Sequence, residues 1–337
     1  MLLIDALYIN NGGGKILLDY LISSIEESNI EVFYLLDERI RNKHPILDDK
    51  KVVFLKANFL RRHWFYLKNK SKFNSVLCFA NLPPNILLHA KVYTYLHQTV
   101  YLNVPKEFSV KDKIKFFFKI AILKKIATNT NYWVVQSNLI KEKLSTRFLV
   151  PLQEIKVLPF YPQFNEIKIK VIRKENTYLY VSNATPHKNH KKLIRVFCEF
   201  YDKYQKGNLI LTVANESQEI SALIALKNKL GYPIENIGFV DRDTLQKVYL
   251  SSEFLIFPSL TESFGLGLIE AIECGCKVIG ADLPYTYEVC EPSLVFDPSD
   301  DSSIFNAFEE SINRNTLRAT IPKINNNIKE LITLLQQ

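Results

Sequence analysis

The chain has 337 residues, of which 47% are hydrophobic, so it is long enough for two domains of about 150 residues each. No apolar run approaches the ~20 residues that span a bilayer, and we expect the first residues to form a strand and not a signal peptide. The five cysteines are odd in number and scattered, which predicts a reducing compartment without a disulfide framework. The net charge of +8 is uneven, since residues 1–170 carry +12 and residues 171–337 carry −4, so we expect the two halves to face different partners.

The first half shows the pattern of alternating strands and helices. It predicts a strand over residues 2–9, a turn from Asn11 to Gly14 and an amphipathic helix over residues 15–28. Further apolar runs predict strands, with helices between some of them, at EVFYLL, KVVFL, SVLCFA, KVYTYL and YWVVQ. The segment 159–176 holds two prolines and many charges, and we interpret it as a linker.

The second half repeats this alternation. Its strands are predicted at TYLYVS, LILTVA, IGFV, EFLIF and KVIG, and its helices at 189–204, 217–230, 243–250, 265–274 and 324–336. Such alternation, with continuously apolar strands, predicts an α/β fold of two Rossmann-like domains, whose parallel sheets face a central cleft at the carboxyl ends of the strands. We expect one domain at 1–165, a second at 170–320, and a C-terminal helix at 321–337 that could pack back on the first.

The stretch FPSLTESFGLGLIEAIECGCKVIG at 257–280 places a loop at the carboxyl end of a strand, where ligands bind in such sheets. Its two central glycines allow close backbone approach, and the following helix N-terminus would stabilise a phosphate. Glu262 and Glu270 would repel a phosphate, but they can accept hydrogen bonds from hydroxyl groups on either side of it. A molecule with central phosphates and hydroxyl-rich rings at both ends is a nucleotide sugar. The alternative is a helix capped by Ser263 or Thr261, with Glu270 solvated.

The residues ESFGLGLIE resemble the Glu-x7-Glu motif of retaining glycosyltransferases with the GT-B fold, specifically glycosyltransferase family 4. The resemblance covers most of residues 177–300, and it extends more loosely to LYINNGGGK, YLHQ and VVQSNLIKEKL in the first half. It implies that Glu262 contacts the donor sugar and that Glu270 contacts the ribose hydroxyls. It also implies that the diphosphate is held by backbone amides of the loop and helix start, which are those around Ser263, Phe264, Gly265 and Leu266.

A second constellation, VSNATPHKNHKKL, follows the strand TYLYVS. Lys188 falls on the loop, where a lysine can neutralise the diphosphate and stabilise the nucleotide as leaving group. Asn189 is the expected N-cap of the next helix. The resembling family commonly has an arginine on this loop as well, and here Asn183 stands in its place, so one charge is missing or supplied elsewhere. The alternative is that Lys188, Lys191 and Lys192 form a solvated helix start.

Candidates in the first half lie at the predicted strand ends. The turn that contains Gly13 and Gly14 is neither GxGxxG nor a P-loop, but its backbone amides could approach a phosphate or sugar. His97 ends the strand KVYTYL, and the resemblance implies that a histidine here lies near the transferred sugar; the alternative is a structural histidine. Gln98 and Ser137 are further candidates of the same kind.

The sequence predicts no metal or other cofactor. No Asp-x-Asp pair lies in a suitable loop, because Asp48 and Asp49 are in a charged surface segment and Asp300 and Asp301 start a predicted helix. The resemblance likewise implies no required metal, since Lys188 and the helix N-terminus take the cation's part.

The basic excess concentrates in two segments, 60–73 and 111–127, which mix lysine and arginine with aromatic and aliphatic residues. A basic helix with exposed apolar bulk can lie on an anionic membrane surface. The alternative is a helix packed into its own domain with a solvated lysine edge. A nucleic-acid partner is not expected, because the chain shows no RNA- or DNA-binding motif.

These patterns together predict a retaining, metal-independent glycosyltransferase that takes a nucleotide sugar as donor. The resemblance points to surface polysaccharide or O-antigen biosynthesis, with an oligosaccharide or lipid-linked acceptor and a peripheral location on the cytoplasmic face of the membrane. Two alternatives stay open, which are a nucleotide-sugar epimerase or hydrolase of the same fold and a non-catalytic binding protein.

Overall fold

The computed structural model describes residues 1–44, 48–105, 108–165, 171–214, 217–313 and 317–337. The chain divides into two compact units. Unit 1 comprises Met1–Pro162 and Asn325–Gln337, and unit 2 comprises Gln163–Ile324. Part of the segment that we interpret as a linker, residues 166–170, lies outside the described residues.

Unit 1 contains a parallel sheet, which has seven strands among the described residues. The strands are β1 (Leu2–Ala6), β2 (Val32–Asp37), β3 (Val52–Leu55), β4 (Ser75–Cys78), β5 (Lys91–Leu96), β6 (Tyr132–Val135) and β7 (Ile155–Val157), in the spatial order β3-β2-β1-β4-β5-β6-β7. The helices are α1 (Gly12–Glu27), α2 (Phe59–Asn69), α3 (Val110–Ile126) and α4 (Asn138–Phe148). Every residue of β1 and β2 is buried, because both faces of the sheet are covered.

A buried ion pair lies at the carboxyl end of β1. Arg62 of α2 donates from Nε to the Asp5 carboxylate at 2.7 Å, and the Tyr66 hydroxyl donates to the same carboxylate oxygen. The two other guanidinium nitrogens of Arg62, Nη2 and Nη1, donate to the carbonyl oxygens of Leu82 and Pro83. This network fastens the loop after β4 to β1 and α2, and loss of one partner in such a buried pair generally costs ~3–5 kcal/mol.

Unit 2 contains a second parallel sheet, with six strands among the described residues. Its elements in chain order are β8 (Lys174–Tyr180), α5 (His190–Tyr204), β9 (Asn208–Leu211), α6 (Gln218–Lys229), β10 (Ile234–Asn236), α7 (Arg242–Ser251), β11 (Ser252–Phe257), α8 (Leu266–Glu273), β12 (Lys277–Ala281), α9 (Pro284–Val289), β13 (Cys290–Glu291), β14 (Leu294–Phe296), α10 (Asp301–Ser311) and β15 (Ile321–Pro322). The spatial order is β10-β9-β8-β11-β12-β14, and β13 pairs with β15 in a small antiparallel ladder. The prediction of two parallel α/β sheets is confirmed.

Aromatic rings fill the core of unit 2 around Tyr178. Its ring stacks on Phe254 of β11 at 5.2 Å between centroids and meets Phe308 of α10 edge-on at 4.8 Å. The Tyr178 hydroxyl is hydrogen-bonded to that of Ser311 at 2.6 Å, so the polar tip of the buried ring is satisfied. The core therefore ties α10 to the centre of the sheet.

The last helix, α11 (Ile328–Leu335), belongs to unit 1, where the Leu334 carbonyl accepts a hydrogen bond from Tyr93 at 2.9 Å. It begins four residues later than the predicted 324–336. The segment before Ile328 is not helical, because the Asn326 side chain anchors it elsewhere. The Asn326 amide donates to the Tyr161 carbonyl at 2.8 Å and to the Tyr20 hydroxyl at 3.0 Å.

Two further boundaries differ from the sequence prediction. Strand β1 ends at Ala6 and not at residue 9, because Ile9 donates its N–H back to the Ala6 carbonyl and Tyr8 takes a φ of +118°. The predicted turn from Asn11 to Gly14 is largely helical, because α1 begins at Gly12. The first N–H groups of a helix have no partner within the helix.

The predicted strand IGFV at 237–240 is wrong, because β10 occupies residues 234–236 instead. The Asn236 side chain accepts from the Val213 N–H at 2.9 Å and donates to the Val213 carbonyl at 3.0 Å, so it replaces the next step of the strand ladder. Gly238 then takes a φ of +65°, which turns the chain toward α7.

The five cysteines are buried, and none forms a disulfide. Among the described residues, no helix is long and apolar enough to cross a membrane.

Candidate functional site

The centre of the unit 2 sheet is a topological switch point. Strands β8 and β11 are neighbours, but the chain continues outward from them in opposite directions, to β9 and β12. The loops that follow them leave the same edge, and they are hydrogen-bonded together from the Leu260 N–H to the His187 carbonyl at 2.8 Å. The Tyr180 hydroxyl donates to the Lys188 carbonyl at 2.8 Å, which fixes the first loop on its own strand. Ligands bind at this position in open α/β sheets.

Lys188 and Glu262, one from each loop, form an ion pair in this structure. Both side chains are largely buried, with 16% and 12% of their surface exposed. The Lys188 ammonium also lies 5.9 Å from the centre of the Phe257 ring. The pair places a cation and a carboxylate in one partly desolvated position, where an entering anion would compete with Glu262 for Lys188.

The helix N-terminus next to this pair is open. Gly265 is the N-cap residue of α8, with a φ of +70°, and no side chain of the described residues caps the helix. A Cβ at Gly265 would meet the Leu268 Cδ1 at 2.9 Å, so both the conformation and the space favour glycine. The alternative of a cap from Ser263 or Thr261 is therefore wrong. Phe264 is buried, and Ser263 and Leu266 are partly exposed beside it.

Glu270 is buried in the second turn of α8, with 3% of its surface exposed. Arg242 donates from Nη1 to its Oε1 at 2.6 Å, and the Tyr249 hydroxyl donates to its Oε2 at 3.2 Å. Burial raises the pKa of Glu270, and the Arg242 charge opposes that rise. The alternative of a solvated Glu270 is wrong.

Arg242 and Tyr249 were not identified by the sequence analysis. Both lie on α7, and the guanidinium of Arg242 stacks on the Phe164 ring at 4.1 Å from its centre. The available signal was an arginine directly after the loop that follows a strand of the same sheet.

Asn183 and Asn189 both lie between β8 and α5, and Asn189 takes the predicted N-cap position without the predicted side-chain cap. Asn189 stands at the N-cap position of α5 in the left-handed region, with a φ of +62°, and its side chain does not cap the helix. Its amide donates instead to the Pro298 carbonyl at 2.8 Å, so the asparagine joins two loops. Asn183 is exposed, and its side-chain carbonyl accepts from the Thr185 hydroxyl at 3.2 Å.

His97 lies in unit 1, directly after β5. Its backbone N–H donates to the Asn81 Oδ1 at 2.8 Å, and Gln98 donates its N–H to the same atom at 3.0 Å. Burial lowers the pKa of His97 to about 4, so the imidazole is neutral at physiological pH. Its Nε2 has no hydrogen-bond partner among the described residues.

The glycines of α1 lie close to His97. A Cβ at Gly14 would meet the His97 Cε1 at 2.9 Å, whereas a Cβ at Gly13 would meet nothing within 4 Å. Gly14 therefore permits the approach of α1 to the imidazole. Ser137, in contrast, has a structural role, because its hydroxyl accepts from the Ile140 N–H and caps α4.

Within the described ranges, no group of three or more His, Cys, Asp or Glu side chains could hold a metal ion. The structure thus brings Lys188 and Glu262 into contact and places Glu270 on the helix that begins at Gly265. It places His97, Gly13 and Gly14 together in unit 1.

Comparison with known families matches residues 163–327 to the model described as "Glycosyl transferases group 1". The match spans unit 2, which is thus similar to the glycosyl transferases of group 1. The match covers all of the candidate residues of this unit, from Asn183 to Glu270.

Curated relatives include glycosyltransferases, two of which are O-antigen chain mannosyltransferases. The O-antigen chain mannosyltransferase RfbU of Salmonella typhimurium is 26% identical over 224 residues, which cover 64% of this chain and 61% of the relative. An uncharacterized glycosyltransferase of Methanocaldococcus jannaschii is 28% identical over 162 residues, or 43% of this chain and 41% of the relative. The O-antigen chain mannosyltransferase B of Escherichia coli is 28% identical over 130 residues, or 37% and 34%. The matches span less than two thirds of the length of each relative.

Solved structures match both units. Sucrose-phosphate synthase from Thermosynechococcus elongatus aligns over 99% of this chain and 94% of its own, with a TM-score of 0.75 and 17% identity. HepE of Anabaena in complex with UDP and glucose covers 99% and 95%, with a TM-score of 0.69 and 14% identity. WaaG, a glycosyltransferase involved in lipopolysaccharide biosynthesis, covers 94% and 91%, with a TM-score of 0.70 and 14% identity. These similarities show that the fold is GT-B.

Proposed function

We propose that this chain is a family 4 glycosyltransferase that moves a sugar from a nucleotide-sugar donor to an acceptor hydroxyl with retention of configuration. The observation that carries the proposal is the Lys188–Glu262 ion pair at the switch point of unit 2, beside the open N-terminus of α8. A cation next to exposed helix N–H groups suits a diphosphate, and the neighbouring carboxylate suits sugar hydroxyls. The match of this unit to group 1 glycosyltransferases supports the same reading.

In this proposal the donor rearranges the ion pair. The diphosphate binds the amides around Phe264, Gly265 and Leu266, and it replaces Glu262 as the partner of Lys188. Glu262 is then released to accept hydrogen bonds from the donor sugar, and Glu270 accepts them from the ribose. Ser263 and Asn183 lie on the two loops and are proposed as further donor contacts.

Lys188 would act mainly on the leaving group. As the bond between C1 of the sugar and the diphosphate oxygen breaks, its electron pair passes to that oxygen, and Lys188 and the α8 dipole stabilise the growing negative charge. The acceptor oxygen forms its bond to C1 on the face that the diphosphate leaves, and the acceptor proton passes to the departing diphosphate. No protein nucleophile and no metal is assigned a role.

His97 is proposed to contact a hydroxyl of the transferred sugar through Nε2. The neutral, buried imidazole can donate or accept one hydrogen bond there without carrying a charge. The amides of Gly13 and Gly14 are proposed to approach the donor from the same unit.

The relatives named above as O-antigen mannosyltransferases suggest the pathway. We propose a mannosyl or related hexosyl donor and an oligosaccharide acceptor, carried on a lipid at the cytoplasmic face of the membrane. A lipid-linked acceptor requires the enzyme to work at the membrane surface.

Helix α3 supplies a surface for that attachment. It buries Ile120, Leu123 and Ile126, while the apolar side chains on its other side stay exposed, with 68% of Phe117 and 61% of Phe118 accessible. A cavity of about 500 Å³ opens there, lined by Val104, Lys113, Phe117, Ile120, Ala121, Lys124 and Arg147. Because the charged groups of this lining are all cationic, we propose that α3 lies on an anionic lipid surface.

The proposal is tested by incubating the protein with GDP-mannose, UDP-glucose, UDP-galactose and UDP-N-acetylglucosamine and measuring thermal stability and product formation. We expect one of them to raise the melting temperature by mass action and to be consumed faster with an acceptor present. The Lys188→Met variant should lose that shift, whereas Lys191→Met, which alters an exposed ion pair, should keep it.

Three outcomes separate the alternatives. A donor that is epimerised or hydrolysed equally fast without acceptor would indicate the epimerase or hydrolase. Binding without turnover with any acceptor would indicate a binding protein. A stability that no nucleotide sugar changes would contradict all three functions.

A further inference from the structure

The carboxylate of Glu270 holds one donor on each oxygen. Arg242 Nη1 lies 2.6 Å from Oε1, and the Tyr249 hydroxyl lies 3.2 Å from Oε2. An ionised carboxylate offers about four acceptor positions, two on each oxygen. Counting only donors from the described residues, one acceptor position therefore remains on Oε1 and one on Oε2, and the geometry of the carboxylate fixes the distance between them.

The two donors are themselves held in place. Arg242 is the first residue of α7, and its guanidinium lies 4.1 Å from the centre of the Phe164 ring, which restricts it to one plane. Tyr249 follows two turns later on the same helix, is fully buried, and has its ring 6.0 Å from that of Phe164. Helix α7 thus carries both donors in a fixed relation to α8.

In the part of the chain that the structure describes, Arg242 is the cation in contact with Glu270. Among the described residues, the other ionisable groups that interact with the carboxylate are acids, which are Tyr249 from α7, Glu273 from its own helix and Cys274 at the C-cap of that helix. Burial disfavours the charged form of Glu270, and Arg242 counters that effect. Without Arg242 the carboxyl group would hold its proton to a higher pH.

We propose that Arg242 and Tyr249 are positioning residues, which keep Glu270 ionised and oriented so that Oε1 and Oε2 each accept one hydroxyl of a vicinal diol. The ligand class is a ribonucleotide, whose 2′ and 3′ hydroxyls form such a pair. This inference rests on the proposed function, because it concerns the nucleotide end of the same donor site. It adds that recognition of the diol depends on α7, which touches neither hydroxyl.

A comparison of ribose with deoxyribose tests the inference. Binding of UDP, GDP and ADP and of their 2′-deoxy forms is measured by calorimetry, first with the native protein. We expect the ribonucleotide to bind roughly 10- to 100-fold more tightly than its 2′-deoxy form, since hydrogen bonds to a charged acceptor in a buried site are strong. At neutral pH, the ribonucleotide should lose most of this advantage in Arg242→Met, whereas the 2′-deoxy form, which keeps only its 3′ hydroxyl, should lose less affinity.

Two further variants keep the test informative. Arg242→Lys should restore part of the discrimination, because the cation is retained without the planar stack. Tyr249→Phe removes the donor to Oε2 and keeps the ring, so it should reduce the discrimination even if Arg242→Met does not fold. Lys191→Met, at the exposed ion pair, is the matched control and should behave like the native protein.

The pH dependence of nucleotide binding distinguishes the proposed role of Arg242 from a merely structural role, which would leave that dependence unchanged. In Arg242→Met, discrimination in favour of ribose should be lost at a higher pH than in the native protein as Glu270 takes up its proton. Equal losses of ribo- and deoxynucleotide binding, or discrimination in Arg242→Met as large as in the native protein at every pH, would overturn the inference and leave the proposed function standing. A native protein that binds no nucleotide would overturn both.

Discussion

Lys188 and Glu262 are counter-ions for each other, so neither is available to a ligand until the other is displaced. The pair keeps both charges compensated in a partly desolvated loop. In the proposed function, a donor diphosphate would supply the replacement charge for Lys188, which would then allow Glu262 to turn to the sugar. Binding and the assembly of the reacting geometry are thus one event at the level of two side chains.

The Glu262→Gln variant should separate binding from turnover. We expect turnover to fall by roughly 2–4 kcal/mol in transition-state stabilisation, because the amide cannot compensate developing positive charge. Nucleoside diphosphate binding should be kept or strengthened, since Lys188 loses its competing partner. The measurements are the steady-state kinetic constants with a competent donor and the calorimetric Kd of the diphosphate.

Glu219 gives the matched control for this variant. Its ion pair with Lys191 is exposed, so Glu219→Gln should leave both binding and turnover unchanged. Wild-type turnover in Glu262→Gln would contradict the role of the carboxylate.

Two buried histidines should make the fold sensitive to acid. Burial lowers the pKa values of His97 and His190 to about 4, below the usual value of 6.5. The unfolded chain binds more protons than the folded one between these values, so the free energy of unfolding falls as the pH drops from 6.5 to 4. Each histidine contributes up to ~3 kcal/mol to that fall.

Denaturant unfolding across this pH range measures the effect. His97→Asn and His190→Asn should each flatten the dependence of unfolding free energy on pH, whatever they do to stability at neutral pH. The same substitution at exposed His89 should leave the slope as in the native protein. A native slope in both buried variants would be inconsistent with neutral imidazoles.

Among the helices, α3 leaves several apolar side chains exposed, whereas most surface helices bury theirs. Lys113, Lys124 and the exposed Phe117 line one cavity beside this helix. An anionic surface contributes on the order of 1 kcal/mol for each nearby basic residue, within a Debye length.

We therefore expect the protein to co-sediment with anionic liposomes at low salt, to be released at high salt, and to bind neutral liposomes weakly. Replacement by Gln of the lysines of α3 should weaken this binding without unfolding the protein, and these are Lys113, Lys119, Lys124 and Lys125. The control replaces four lysines of unit 2, which are Lys203, Lys206, Lys227 and Lys229. Equal binding to neutral and anionic vesicles, or none to either, would contradict membrane attachment through α3.

The strands were predictable from sequence because both faces of each sheet are covered, which leaves continuous apolar runs such as those of β1 and β11. The helix start at Gly265, and with it the loop that contains Glu262, was also predictable, because a positive φ favours glycine at that position. The strand IGFV was mistaken because the pattern of apolar residues does not show that the Asn236 side chain ends the ladder.

The environment of Glu270 was not predictable from local pattern. Its partner Arg242 lies 28 residues earlier on another helix, and their contact exists because α7 packs beside α8. The spacing of apolar residues shows which side of a helix is buried. It does not show which charged group of a neighbouring helix contacts that side.

For the whole molecule, the proposed chemistry predicts activity without a divalent ion. Turnover should survive excess EDTA, because Lys188 and the N-terminus of α8 neutralise the diphosphate. The product should keep the anomeric configuration of the donor, which NMR coupling constants report. An inverted product, or activity that EDTA abolishes and a divalent ion restores, would contradict the mechanism.

The buried cysteines make the native chain a convenient background for site-directed labelling. Burial raises the pKa values of all five thiols, to about 12 for Cys78, Cys274 and Cys290 and to about 11 for Cys198 and Cys276. The reactive thiolate is therefore both scarce and shielded at pH 8. A thiol reagent should find no fast-reacting group in the folded protein and five after denaturation. Fluorophores on cysteines introduced at exposed Leu87 in unit 1 and exposed Phe239 in unit 2 would then report the separation of the two units in solution, with and without a nucleotide sugar.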